Sequence, residues 1–209
     1  MADHYFSPDP NAPEQRHTMR VDLGDGEIEV VSANGVFSAQ GLDKATRILL
    51  AEVPEPPASG TALDIGCGWG PITLSLARRS PELAVWAADV NERALSLTEA
   101  NASALGCANV TALLPDAVPD DLRFDVIWSN PPIRIGKAQL DALLGHWLPR
   151  LTVGGNAWLV VGKNLGADSL QRRLGEQLGD AFAVSRHATS GGFRVLRVER
   201  LSSGVALPR

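Results

Sequence analysis

Cysteine is scarce in this chain, with only Cys67 and Cys107 among 209 residues. Two thiols at such different positions are too few for a disulfide framework, and neither they nor the four histidines have metal-ligand spacing. No hydrophobic run approaches the roughly 20 residues of a membrane-spanning helix, and the segment 1–5 does not resemble a signal peptide. We therefore expect a cytoplasmic protein that uses no metal and no membrane.

Charge is unevenly distributed along the chain. Residues 1–122 contain 7 Lys and Arg against 18 Asp and Glu, whereas residues 123–209 contain 12 against 6, so the two parts carry net charges of −11 and +6. A basic C-terminal half is typical of a surface that faces nucleic acid, but ordinary uneven surface charge gives the same pattern. The length suits one large domain, or one domain with an appendage.

From residue 61 onward, strand and helix patterns alternate. Buried strands are predicted at 61–65, 83–88, 109–113, 124–129 and 156–161, and helices at 71–79, 91–105, 138–151 and 169–178. Such alternation predicts an α/β fold with a doubly wound, mostly parallel sheet. Two further strands, 181–186 and 193–201, form an antiparallel C-terminal hairpin around a Gly-Gly pair and bring the sheet to seven strands.

The part before residue 58 follows a different pattern. Residues 1–20 are predicted to be extended and partly loose because three prolines exclude a regular helix there. A hairpin joins 21–23 to 27–31, and a helix covers 42–53 before a Pro-rich linker. We therefore divide the chain into an N-terminal extension, residues 1–57, that packs on the core, and a core, residues 58–209.

A glycine-rich loop, Asp64–Gly70, joins the first core strand to its helix. Glycines let the backbone approach a ligand, and the helix N-terminus offers unpaired N–H groups. The spacing is G-x-G-x-G, not the G-x-G-x-x-G of dinucleotide folds. Asp64 is poorly suited to cradling pyrophosphate, but it could orient the loop around a ligand with an ammonium group; a turn that serves only packing is the alternative.

Acidic residues end the next two strands. Asp89 lies where a carboxylate accepts hydrogen bonds from ribose hydroxyls, which indicates an adenosine ligand without choosing between cofactors. Asp116 is placed to reach an adenine amino group or is an ordinary turn residue between two prolines. Asn91 is interpreted as a helix cap.

The tetrapeptide Asn130-Pro131-Pro132-Ile133 follows the fourth strand. Because each proline ring fixes φ and restricts the preceding residue, we expect the Asn130 amide and a bare backbone carbonyl to be held side by side. Such a rigid pair of acceptors suits a planar amino group as substrate. The alternative is an ordinary Pro-rich turn.

These four motifs, in this order, resemble those of class I S-adenosylmethionine-dependent methyltransferases. A narrower resemblance, to the compact stand-alone form of the small methyltransferase domain of the ribosomal RNA small subunit methyltransferase C family, rests on His4-Tyr5-Phe6-Ser7, Gly35-Val36-Phe37-Ser38, Leu42-Asp43, Asn130–Lys137 and Gly191-Gly192-Phe193-Arg194-Val195-Leu196. Well-known members of that family methylate the exocyclic N2 of guanine in small-subunit rRNA. The resemblance therefore implies S-adenosylmethionine as cofactor and rRNA or the small ribosomal subunit as partner. For the oligomeric state, a monomer and a homodimer both stay open.

The resemblance and the motif positions together predict the site residues. The predicted catalytic residues are Asn130, Pro131, Pro132 and Ile133. The predicted cofactor-binding residues are Asp64, Gly66, Cys67, Gly68, Asp89, Val90, Asp116, Ala117 and Asn130. The predicted substrate-binding residues are Phe37, Arg134, Lys137 and Arg194.

Within this set, Ile133 departs from the aromatic residue usual after Asn-Pro-Pro, so base stacking would have to come from elsewhere, with Phe37 as the preferred candidate. Arg134 and Lys137 are placed for phosphate contacts. Arg194 joins them or is an ordinary solvated charge, and His4 is a weaker substrate candidate by resemblance.

Other functions fit parts of the pattern. Asn-Pro-Pro serves any planar amine, so a glutamine amide or an adenine amino group is an alternative acceptor. A nicotinamide oxidoreductase fits less well because the glycine spacing differs. A catalytically silent RNA-binding module with the same fold is the alternative from another class.

Overall fold

The computed structural model describes residues 13–202. The strands and helices of this part are, in chain order, β1 Arg16–Asp22, β2 Glu27–Ala33, α1 Lys44–Glu52, β3 Ser59–Ile65, α2 Pro71–Arg79, β4 Glu82–Ala88, α3 Glu92–Ala104, β5 Val110–Leu113, β6 Phe124–Ser129, α4 Lys137–Trp147, β7 Leu151–Gly162, α5 Ala167–Leu178, β8 Phe182–Ser190 and β9 Phe193–Arg200. Within these residues no helix combines the length and the hydrophobicity needed to span a membrane.

Strands β3 to β9 form one seven-stranded sheet in the order β5-β4-β3-β6-β7-β9-β8. The first five strands in this order run parallel, and β9 is antiparallel to both β7 and β8. The predicted fold class, a doubly wound sheet with an antiparallel C-terminal hairpin, is confirmed. Strand order reverses between β3 and β6, and open α/β sheets bind ligands outside the carboxyl ends of the strands at such a reversal.

Two hydrophobic clusters cover the two faces of the sheet. Successive residues of a strand point to opposite faces, so Ala62 of β3 belongs to the cluster beneath α1, α2 and α3, and Leu63 to the cluster beneath α4 and α5. The same alternation separates Trp128 from Ile127 in β6. The central strands are therefore buried on both sides, which explains their nearly continuous hydrophobic sequence.

The N-terminal segment packs on the first of these faces. β1 pairs with β2 in an antiparallel hairpin, and Val21, Ile28 and Val30 lie in the same cluster as Trp69 of the glycine-rich loop. The hairpin begins at Arg16, so residues 16–20 are extended, as predicted, but are paired in a strand and not loose. The division at residue 57 stays a prediction, and His4 with its motif lies outside the described residues.

Two predicted boundaries also move near α4. This helix ends at Trp147, four residues before its predicted end, and Leu148–Arg150 form a 3₁₀ turn that contains Pro149. β7 starts at Leu151 instead of residue 156, and a register irregularity in its pairing with β6 accommodates the two glycines near its start. Glycine within a strand often marks such an irregularity.

Candidate active site

A cavity of about 380 Å³ opens at the carboxyl ends of β3, β4 and β6. Cofactor and small-molecule sites span about 300–1,000 Å³. The wall combines the glycine-rich loop, the β4–α3 connection and the Asn130–Arg134 segment with side chains from before α1 and from β7 and β9. The site therefore lies at the strand-order reversal, with contributions from both ends of the described chain.

The glycine-rich loop has three residues in left-handed conformations, and two of them, Gly66 and Gly68, line the cavity. Gly66, Gly68 and Gly70 have φ values of 76°, 59° and 99°, which disfavour any residue with a Cβ. A Cβ built on Gly66, which lines the cavity, would meet no heavy atom within 4 Å, so it would project into open space. At Gly70 it would lie 3.1 Å from Thr98 Oγ1, so this glycine brings α2 close to α3.

Asp64 lies beneath this loop and is completely buried. Its Oδ2 accepts hydrogen bonds from the backbone N–H of Thr73 at 3.0 Å and from the Thr73 hydroxyl at 2.7 Å. Burial is the main cause that raises the Asp64 pKa to about 7, against the lowering effect of the Thr73 hydrogen bonds. Oδ1 has no hydrogen-bond partner in the described part of the chain. The residue supports the start of α2 and is absent from the cavity wall, so its contact with a cofactor stays a prediction.

Asp89 ends β4 and does line the cavity. Its Oδ2 accepts from the N–H of Gly68 at 3.0 Å, and its Oδ1 accepts from the N–H of Asn91 at 2.9 Å. Burial raises the pKa of Asp89, and the backbone hydrogen bonds lower it. Because each carboxylate oxygen has more than one lone pair, a carboxylate fixed in this way can still accept from ligand hydroxyls. Asn91 caps α3 as predicted, accepting from the N–H of Arg93 at 3.0 Å.

Four other predicted cofactor residues lie away from the wall of this cavity. Val90, Asp116 and Ala117 are exposed, the last two in a 3₁₀ turn after β5. Cys67 is buried, with its Sγ 3.4 Å from the hydroxyl of Thr98, and burial raises its pKa. Their roles in cofactor binding stay predictions.

Asn130 lies at the cavity wall with its amide nitrogen engaged. Nδ2 donates to Asp43 Oδ2 at 3.0 Å and to Thr46 Oγ1 at 3.1 Å. Within residues 13–202 no group donates to its Oδ1, so that oxygen remains a hydrogen-bond acceptor at the cavity. The structure therefore brings an acceptor to the place that the sequence predicted.

The carbonyl next to Asn130 corrects one prediction. Pro131 O accepts the N–H of Ile133 at 2.8 Å, and Pro132 has φ −73° and ψ 72°, the geometry of an inverse γ-turn. The carbonyl is therefore not bare, because the tight turn folds the following N–H back onto it. A carbonyl oxygen has two lone pairs, so one acceptor position remains.

Two of the predicted substrate-binding residues line the cavity. Half-buried Phe37 lies there together with Arg134, which is exposed and adjoins Ile133. Lys137 is exposed at the start of α4 but is not part of the wall. A basic and an aromatic side chain thus share the cavity wall with Asn130, and their contact with a substrate stays a prediction.

Arg194 is not brought to the cavity. It is only 8% exposed and forms an ion pair with Asp168 of α5, so it is neither the predicted phosphate contact nor a solvated charge in this structure. Its neighbour Phe193 lines the cavity instead. The sequence analysis did not select Phe193 or Asp43 as site residues, although both lie in motifs that carried the family resemblance.

The described residues were also considered as metal ligands. Over residues 13–202, no three His, Cys, Asp or Glu side chains are grouped so that they could hold a metal ion. The prediction that the reaction uses no metal stays a prediction.

Comparison with known proteins assigns the family. The family model of the methyltransferase small domain matches residues 27–197. The chain belongs to this family. Its sequence-based recognition as a class I methyltransferase is confirmed, and the topology described above is that of solved methyltransferases, including a ribosomal protein L11 methylase from Lactobacillus delbrueckii with a TM-score of 0.64 over 88% of this chain and 99% of that one, at 19% identity.

Relatives of this small methyltransferase domain include rRNA enzymes. Ribosomal RNA small subunit methyltransferase C of Shewanella amazonensis is 30% identical over 80% of this chain and 50% of its own length. YbxB of Bacillus subtilis, described as an uncharacterized protein, is 32% identical over 96% of this chain and its full length. The chain thus spans about half the length of the methyltransferase C relatives and all of YbxB.

One solved relative contains ligands. The 16S rRNA N2 G1207 methyltransferase RsmC of Thermus thermophilus, in complex with AdoMet and guanosine, superimposes with a TM-score of 0.76 at 26% identity, over 91% of this chain and 52% of that one. Its methyl donor is the one that the sequence analysis predicts for this protein.

Proposed function

We propose that this protein transfers a methyl group from S-adenosylmethionine to the exocyclic N2 of a guanine in small-subunit (16S) rRNA. The observation that carries the proposal is the acceptor pair at Asn130. Its amide nitrogen is held by Asp43 and Thr46, and its oxygen remains an acceptor beside the Pro131 carbonyl. Two adjacent acceptors at the cavity wall match the two N–H groups of an exocyclic amine.

S-adenosylmethionine is the cofactor of this protein, and when bound it supplies an electrophilic methyl group on an excellent leaving group. The residues present fit such a group: Gly66 leaves open space at the cavity, and Asp89 is a half-buried carboxylate for ribose hydroxyls. Asp64 and the backbone of the glycine-rich loop are proposed to orient the remaining part of the cofactor.

The acceptor side must activate a weak nucleophile. The lone pair of a guanine amino group is delocalised into the ring. Hydrogen bonds from its two N–H groups to Asn130 Oδ1 and the Pro131 carbonyl would localise that lone pair toward the methyl group. Orientation of two reactants supplies effective molarities of about 10⁵–10⁸ M, so positioning provides most of the acceleration.

Once the target base has been flipped out of its duplex, the protein must also bind it. Flipping a base out of a duplex costs a few kcal/mol, and stacking on an aromatic ring returns about 1–3 kcal/mol. Phe37 and Phe193 are the aromatic side chains in the cavity wall, and they compensate for aliphatic Ile133. Arg134 would contact a phosphate beside the acceptor. The guanosine and AdoMet in the Thermus RsmC complex support this choice of base and cofactor.

Labelled methyl transfer tests the proposal. Purified protein and S-adenosylmethionine with a tritiated methyl group are incubated with naked 16S rRNA, assembled small subunits, DNA and ribosomal proteins, and the products are digested and separated. We expect label in N2-methylguanosine from one or both rRNA substrates. Label in N6-methyladenosine or N5-methylglutamine would replace the substrate assignment, and no transfer to any of them would contradict the proposed function. For an rRNA substrate, the proposed site of action is the cytoplasm.

A further inference from the structure

The side chain that holds Asn130 comes from the segment before α1, 87 residues earlier in the chain. We propose that Asp43 is a positioning residue, whose carboxylate determines which end of the Asn130 amide faces the acceptor base. This inference rests on the proposed function, because it assumes that Asn130 Oδ1 accepts from the substrate amine.

A single oxygen of Asp43 makes all of these contacts. Asp43 is the N-cap of α1, and its Oδ2 accepts from the backbone N–H of Ala45 at 2.8 Å and of Thr46 at 3.2 Å. The same Oδ2 accepts from Nδ2 of Asn130 at 3.0 Å. Two backbone groups therefore fix the position of the oxygen that the Asn130 amide meets.

The chemistry of this oxygen allows only one orientation of the amide. An ionised carboxylate accepts hydrogen bonds and cannot donate them, so it pairs with the NH₂ end of an asparagine and repels the oxygen end. The hydroxyl of Thr46, in a residue that is only 2% exposed, is within reach of the same NH₂ group at 3.1 Å. A flipped amide would lose the carboxylate contact and present N–H groups to an amine, which needs acceptors.

The contact of Asp43 and Thr46 with the Asn130 amide, here called the anchor, is supported by the hydrophobic core through α1. Ala45 and Leu49 of α1 belong to the same hydrophobic cluster as Val160 of β7 and Val195 of β9. A polar contact supported by a packed helix keeps its geometry better than one supported by an exposed loop. The N-terminal segment thereby contributes to the acceptor site through Asn130 as well as through its own cavity-lining side chains.

Three substitutions separate this role from helix capping. Asp43→Ser retains a good N-cap, but its hydroxyl is too short to reach Asn130. Asp43→Asn keeps an oxygen that can accept from all three donors while removing the charge. Thr46→Val removes the second contact with little change in volume. Asp141→Ser is the matched control, because it deletes a carboxylate that binds Arg173 between α4 and α5, outside the cavity wall.

Steady-state kinetics on the rRNA substrate are the first measurement. We expect Asp43→Ser to lower kcat by about tenfold to a hundredfold, since a displacement of about 1 Å in a reacting group has effects of that size. The Kd of S-adenosylmethionine, measured by calorimetry, should change by less than about threefold. Asp43→Asn should retain kcat within about fivefold, Thr46→Val should lie between the two, and Asp141→Ser should match the wild type.

A spectroscopic measurement tests the anchor without turnover. In protein labelled with ¹⁵N-asparagine, the side-chain amide signal of Asn130 is identified by its loss in Asn130→Ala. We expect its hydrogen exchange to be slow in the wild type and in Asp43→Asn, and clearly faster in Asp43→Ser.

The outcomes separate this inference from the proposed function. If the wild type methylates rRNA and Asp43→Ser keeps its kcat, or if exchange at Asn130 is equally fast in all variants, Asp43 does not position Asn130. If the wild type methylates none of the substrates, the proposed function fails, and unchanged exchange in Asp43→Ser would then overturn the anchor as well.

Discussion

Two loops at the carboxyl ends of neighbouring strands face each other across the cavity, and they are built in opposite ways. The loop after β3 relies on glycines in left-handed conformations, whereas the loop after β6 relies on two prolines and an inverse γ-turn. Gly68 is held by Asp89 and Thr98, which lie 21 and 30 residues away in the chain. Asn130 is held by Asp43 and Thr46, 87 and 84 residues away.

This difference has a functional consequence. The contacts that hold Gly68 come from the β4–α3 connection and from α3, which follow the loop closely in the chain. The proposed cofactor side is therefore assembled mainly from neighbouring elements, although Trp69 Nε1 also donates to Ser38 O, 31 residues earlier. The acceptor side is assembled from the segment before α1, the β6–α4 connection and the β8–β9 hairpin. Substitutions in the two loops should therefore separate cofactor binding from methyl transfer.

Asn130→Ala should have the largest effect. Removal of the acceptor amide is expected to lower kcat about a hundredfold or more, because the amine loses a group that orients it and localises its lone pair. The Kd of S-adenosylmethionine should change far less. Asn156→Ala, in β7 and not part of the cavity wall, is the matched control. Equal losses of kcat and cofactor affinity in Asn130→Ala would show that the two sides are not separable.

Gly66→Ala tests the other loop by cofactor binding. We expect the Kd of S-adenosylmethionine to rise about thirtyfold, because the added Cβ projects into the space that the ligand needs. Gly106→Ala is matched to it: φ is 71° instead of 76°, and its Cβ also meets no atom within 4 Å. Both variants should lose about 1–2 kcal/mol of stability from left-handed strain. A similar rise in Kd for both variants would contradict this use of Gly66.

Asp64, beneath the glycine-rich loop, should make the stability of the folded protein depend on pH. Its folded-state pKa of about 7 lies above the ordinary value of 3.8, so the folded state binds more protons than the unfolded state between these values. Stability should therefore fall as pH rises from about 4 to 7, by at most about 1.4 kcal/mol per pH unit. Asp64→Asn retains an acceptor for Thr73 and should remove this part of the slope in urea unfolding. An unchanged slope would mean that Asp64 ionises normally.

Arg134→Ala should have the smallest effect. Loss of one phosphate contact is expected to raise the KM for rRNA about three- to tenfold and to reduce the slope of log KM against log salt by about one. Arg123, which is exposed before β6 and donates to the nearby backbone carbonyls of Asp120 and Leu122, provides the control variant Arg123→Ala. Equal effects of the two substitutions would indicate a diffuse basic surface in place of a contact beside Asn130.

Secondary structure was most predictable where the signals are local. The predicted bounds of α2 and β6 match the structure to the residue, because a proline opens the helix and an unbroken buried run forms the strand. The first strand of the N-terminal hairpin was predicted too short, because residues 16–20 were assigned to the Pro-containing segment before it although His17 and Met19 alternate inward. The predicted start of β7 was five residues too late, because Gly154 and Gly155 interrupt the strand pattern.

The proposed cofactor side was also largely accessible from the sequence. Gly66, Gly68 and Asp89 were selected as strand-end residues, and the structure brings all three to one cavity. Strand-end positions in a parallel sheet meet at the same edge, so a correct order of strands is enough to bring them together. Asp116 and Ala117 follow the same rule but lie in an exposed turn away from this cavity.

The sequence by itself determined the fold class, the family and the position of the Asn-Pro-Pro acceptor, because each is read from local patterns and short motifs and from their order along the chain. Only the tertiary structure decided that Asp43 contacts Asn130, that Phe193 lines the cavity and that Arg194 is buried against Asp168. These contacts join segments that meet only after the sheet has formed and its helices have packed. Hydrophobic periodicity and turn residues carry no information about which distant polar side chains then become neighbours.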